Sequence, residues 1–156
     1  PYIGGLEGYT EGYVDEVGLV PAGVTLYTSI TTLQGLRELD NWGSGDICAE
    51  CIMEDDTFDN SILHLSIWMA EGNEHGVAAG DFDDKIASLA EWLKEQDRPV
   101  FLRPGYEFDG PWNDYDPEAY REAFRRIHER HLCLSRLRGG HLPGRLRRVL
   151  SRRRLR

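Results

Sequence analysis

After Glu129 the chain contains no acid and no lysine. All 27 Asp and Glu of the 156 residues lie at or before that position, whereas residues 130–156 carry ten arginines. The first 129 residues, with the other eight Lys and Arg, therefore net −19, and the remainder nets +10. An acidic soluble domain rarely changes character so abruptly, so two units are read: a domain over 1–129 and an Arg-rich tail over 130–156. The tail mixes Arg, Leu, Gly, Ser, Pro and His without acid, as a GC-rich gene does when translated out of frame. It is read as a frameshift product or an irregular, disordered extension. The functional alternative is a basic arm for nucleic acid or an anionic membrane surface, and neither partner is expected of the acidic domain.

Cysteine is scarce, at three residues, two of them in the pair Cys48-x-x-Cys51. Asp46, Glu50 and Glu54 surround that pair, and nearby negative charge disfavours the thiolate that redox and metal chemistry both need. No further ligands follow at zinc spacing, so ordinary thiols, no metal and no cofactor are expected. Long apolar runs are also missing, and nothing approaches the ~18–20 residues of a membrane span. The sequence opens at Pro1 without Met or a leader pattern, so the natural start is expected upstream and localisation is left open.

What is present is an alternation of strands and helices. Val24–Ile30 is β-branched and aromatic after a Pro-Ala-Gly turn, and Ser61–Met69 is apolar on both faces, as a sheet covered on both sides requires. Val100–Arg103 is a short third strand closed by Pro104-Gly105. Residues 1–23 and 71–80 read as loops, and Thr31–Leu39 as a short helix. Asp81–Gln96 repeats apolar residues at helical spacing with Asp81 as cap, and Asp116-Pro117 starts another helix striped by Tyr120, Ala123, Phe124 and Ile127. Buried strands alternating with helices predict parallel βαβ units in an α/β fold. A full (β/α)₈ barrel takes ~250 residues, so this length supplies about half of one.

Chemistry concentrates after the third strand, where parallel α/β folds place their functional loops. Within a few residues stand Arg103, Tyr106, Glu107, Asp109, Trp112 and Asn113. Aromatic faces beside carboxylate and amide groups suit sugars, whose C–H faces stack while their hydroxyls need directional partners. Trp68, at the end of the second strand, is a further candidate contact, although core packing explains it equally well. His64 reads as a satisfied core histidine. Glu71, Glu74 and His75 lack the spacing of a metal motif.

The run Arg103-Pro104-x-x-Glu107-x-x-Gly110-x-Trp112 resembles the acid/base motif of glycoside hydrolase family 26, the β-mannanase and β-1,3-xylanase family of clan A. Tyr106 and Asp109 depart from that pattern, which usually has His and Asn there. The resemblance implies a partial TIM barrel and a retaining mechanism on β-linked polysaccharide of mannan or xylan type, with Glu107 as acid/base. It further implies that Glu107 holds its proton near neutrality, and that Trp112, Asn113, Asp109, Tyr106, Arg103 and Trp68 surround the substrate. The family's nucleophile is a second Glu later in the barrel, beyond this chain, so the 156 residues alone are expected to be inactive. A secreted protein and self-association through exposed half-barrel edges are expected on the same basis. The alternative is a non-catalytic carbohydrate-binding α/β domain.

Overall fold

The structure, a computed structural model, describes residues 6–41, 45–96 and 98–136, with side chains described as far as Arg130. A π-type turn at Gly8–Val14 runs into α1 (Asp15–Val17), followed by β1 (Gly23–Ser29). A small antiparallel pair, β2 (Asp40–Asn41) and β3 (Asp46–Ile47), leads into α2 (Ala49–Glu54) and a 3₁₀ turn at Asp56–Phe58. Then come β4 (Ile62–Trp68), α3 (Asn73–Ala79), α4 (Asp83–Glu95), β5 (Val100–Pro104) and α5 (Pro117–Arg136). The strands β1, β4 and β5 form one parallel sheet in that order. The sheet does not close on itself.

Alternation along each strand explains the layering. Val24 and Leu26 of β1 and Leu63, Leu65 and Ile67 of β4 are buried in one cluster with Ile52, Val77, Ile86, Leu89, Ala123 and Ile127 from the helices. The other face carries Thr25, Tyr27 and Ser29, then His64, Ser66 and Trp68, then Phe101 and Arg103, in register across the sheet. Here the structure corrects the sequence reading of β4. Its second face carries His64 and Ser66, and Phe101 beside it is 60 % exposed, because among the described residues no second layer of helices lies over it.

Several local readings change as well. Thr31–Leu39 forms turns rather than a helix, since Leu33 and Gly35 adopt left-handed backbone and Thr32 Oγ1 engages Gln34 Oε1 at 2.7 Å. Residues 73–79 are helical despite Gly76, because that glycine lets the Phe82 ring pack against the helix; a Cβ there would lie 2.8 Å from Phe82 Cε2. The expected single helix from Asp81 starts at Asp83, with Phe82 at its N-cap. Cys48 and Cys51 form a disulfide rather than remaining thiols, with Cys48 capping α2. The cap of α5 is as read, with Asp116 Oδ1 accepting the Ala119 N–H at 2.7 Å. That helix runs to Arg136, past the change in composition, and residues 137–156 of the expected tail lie outside the described residues.

Two devices complete the layer. The Tyr9 hydroxyl accepts the Thr25 N–H and donates to the Thr25 carbonyl, both at 3.0 Å, taking the place of a neighbouring strand on the β1 edge. Arg98 donates to the carbonyls of Ile52, Met53 and Phe58, satisfying the ends of α2 and the 3₁₀ turn that follows it.

Candidate active site

The loop after β5 is pinned from several sides. Gly105 N–H continues the ladder to the Ile67 carbonyl at 2.8 Å, and Gly105 is left-handed with the Tyr120 ring where a Cβ would stand. Tyr120 donates to the Pro104 carbonyl, Tyr115 accepts the Met69 N–H, and Glu74 Oε1 accepts the Asp116 N–H at 3.2 Å. The loop is therefore tied to β4, α3 and α5 before any ligand arrives.

Within it the motif residues build one small assembly. Glu107 has a φ of 54°, a left-handed conformation that costs a non-glycine residue about 1–3 kcal/mol unless its surroundings hold it. The surroundings do so. The Glu107 carbonyl accepts the Gly110 N–H at 2.9 Å and Asn113 Nδ2 at 3.0 Å, and the half-buried carboxylate accepts Trp112 Nε1–H at 2.8 Å. Gly110 is the seat of the indole: a Cβ there would lie 2.5 Å from Trp112 Cε2. The spacing Glu-x-x-Gly-x-Trp is thus the spacing of a loop that folds back on its own carboxylate.

Two grooves flank this assembly. One, of about 280 Å³, is lined by Ser29, Thr31, Gln34, Trp68 and Tyr106 at the carboxyl ends of the strands. The other, of about 570 Å³, is lined by Trp112 and Asn113 together with Glu71, Glu74, His75 and Asp114. Tyr106 stacks obliquely near Tyr27 with ring centroids 5.5 Å apart. Burial, aided by the Glu107 charge, pushes the Tyr106 phenol up to about 12, so it stays a neutral donor. Tyr27 is pushed up by the same two influences together with Tyr9, and Arg103 opposes the shift in both phenols. His64 is held below its ordinary value, first by burial and then by Arg103, so this residue of the open face is neutral.

The structure thus joins Glu107, Trp112 and Asn113 directly, and places Tyr106 with Trp68 in one groove. Asp109 and Arg103 are exposed, and their side chains make no hydrogen bond or ion pair among the described residues. Trp112, 72 % exposed, shows one face to solvent while its edge is engaged. Missed from the sequence were Ser29, Thr31 and Gln34 of the first groove, Tyr27 against Tyr106, and the burial of Glu74, whose Oε2 has no hydrogen-bond partner among the described residues. The polar period of Thr25-x-Tyr27-x-Ser29 was the available signal.

Comparison with known proteins follows the same direction. The chain is 37 % identical over 119 residues to the β-1,3-xylanase TXYA of a Vibrio species, and 35 % identical over 118 residues to a β-1,3-xylanase of an Alcaligenes species. It is related to glycoside hydrolases. The matched stretch covers 76 % of this chain and 25 % and 24 % of the two relatives, so the chain spans about a quarter of their length. No family model matches.

Proposed function

We propose that this chain is the segment of a family 26 glycoside hydrolase that carries the acid/base, acting on β-1,3-linked xylan. The observation that carries the reading is the Glu107 assembly. A half-buried glutamate stands at the strand end, its carboxylate held by Trp112 and its backbone carbonyl by Asn113, between a groove with aromatic walls and one rich in acceptors. The xylanase relatives favour xylan over mannan as the substrate.

In this reading Glu107 protonates the oxygen between two sugars while a second carboxylate attacks the anomeric carbon from the opposite side. It then accepts a proton from the water that releases the sugar. The two carboxyls of a retaining pair stand ~5–5.5 Å apart on opposed sides of the bond. Asp109 does not meet that need, being two residues along the same loop and exposed. The second carboxylate belongs to further units of the (β/α) barrel, which the three strands begin.

Tyr106 and Trp68 give a sugar its stacking surfaces, with Ser29, Thr31 and Gln34 as hydroxyl partners. Arg103, on the same face of the sheet as Tyr27 and Ser66, supplies positive charge at the site and orients the incoming carboxylate.

The test is a hybrid in which this chain replaces its matched stretch of the Vibrio enzyme. The hybrid is expected to hydrolyse β-1,3-xylan, and Glu107→Ala to lower turnover by ~10²–10⁴-fold, the usual weight of a general acid. An active hybrid indifferent to Glu107→Ala rejects the assignment.

A further inference from the structure

We infer that Trp112 is a positioning residue that decides which oxygen of Glu107 carries the proton, an inference that rests on the acid/base reading above. Position alone suggests an aromatic platform, and its contacts give it a second task. Its Nε1–H donates to Oε2 at 2.8 Å, and an indole nitrogen can only donate. Oε2 therefore meets a hydrogen from its neighbour, and a proton placed on Oε2 would compete with that bond. The proton of the acid form belongs on Oε1.

The first chemical step then has one direction. The Oε1–H bond breaks as the proton passes to the glycosidic oxygen, the second carboxylate bonds to the anomeric carbon as its bond to that oxygen breaks, and the leaving sugar departs neutral. The negative charge left on Glu107 spreads over both oxygens, with the indole N–H already aimed at Oε2. A charge-assisted bond of this kind is stronger to the carboxylate than to the acid, so it favours the state that the step creates.

The rest of the loop serves this contact. Gly110 leaves room for the indole, since a Cβ would stand 2.5 Å from its Cε2. Asn113 Nδ2 and Gly110 N–H both hold the Glu107 carbonyl, which fixes the left-handed backbone from which the side chain departs. Substituting Trp112 loosens the carboxyl without touching the sheet, because the ring is 72 % exposed and lies outside the core cluster of the described residues.

The experiment uses the 156-residue chain, labelled with nitrogen-15, and follows the Trp112 indole N–H resonance from pH 3 to 8. The resonance is assigned by its loss in Trp112→Phe. The inference predicts that this signal follows a single carboxyl titration. Glu107→Gln, whose amide does not titrate, should flatten that response, and Gly110→Ala should flatten it by displacing the ring. Asp109→Asn should leave it in place. A pH-independent resonance in the unsubstituted chain, or a titration that survives Glu107→Gln, overturns the inference. The two readings fail separately: a Glu107→Ala hybrid that still cleaves xylan defeats the acid/base assignment and leaves the indole titration unchanged, whereas a flat indole titration defeats only the positioning role.

Discussion

Glu107 and Tyr9 show how much single side chains settle in this molecule. Glu107 sits in backbone that disfavours every residue except glycine, and three donors from Gly110, Trp112 and Asn113 keep it there. Tyr9 closes the edge of β1 with one hydroxyl that serves both an N–H and a carbonyl of Thr25. Tyr9→Phe leaves both Thr25 groups without that partner, and urea unfolding should show a loss of ~1–3 kcal/mol, the usual result of orphaning buried polar groups. The half-buried phenols set a pH limit. With Tyr106 and Tyr115 both pushed up to about 12 against an ordinary value of 10, the unfolded chain ionises first. Stability is full below pH 10 and is lost as pH rises from about 10 to about 12, which an alkaline denaturation series read by circular dichroism checks. His64 acts at the opposite end. Its lowered folded value means that the unfolded chain protonates first, so its contribution falls as pH drops below 6.5.

Among elements, the loop after β5 depends on α3 and α5, and α2 depends on Arg98. That guanidinium reaches carbonyls of Ile52, Met53 and Phe58, so Arg98→Ala should lower stability by ~1.5–3 kcal/mol in thermal or chemical unfolding, with the sheet intact. The three parallel strands and α5 were legible because their signals are local: β-branched runs, and Asp116-Pro117 ahead of an apolar stripe. The Glu107 motif was legible for a similar reason, since its contacts span only six residues. The helix at 73–79 was hidden because it rests on burial of Val77 in the core and on Phe82 packing against Gly76, and the turns at 31–39 because side-chain bonds and left-handed residues override a helical apolar spacing. The first groove was illegible for a different reason. Its residues come from three strand ends, which only the register of β1, β4 and β5 brings together.

At the scale of the whole molecule, a sheet covered by helices on one side presents Thr25, Tyr27, His64, Phe101 and Arg103 on the other. Phe101 is 60 % exposed there and Ile62 36 % exposed, around a cavity of about 490 Å³. Exposed apolar surface on an open sheet drives association. Sedimentation velocity should therefore show concentration-dependent self-association that Phe101→Lys reduces. The most direct test of the account is β-1,3-xylan hydrolysis by the hybrid with the Vibrio enzyme, compared with its Glu107→Ala form. The account predicts an active hybrid that loses ~10²–10⁴-fold in turnover on substitution while keeping its affinity for the polysaccharide. Equal turnover by the two proteins would contradict it.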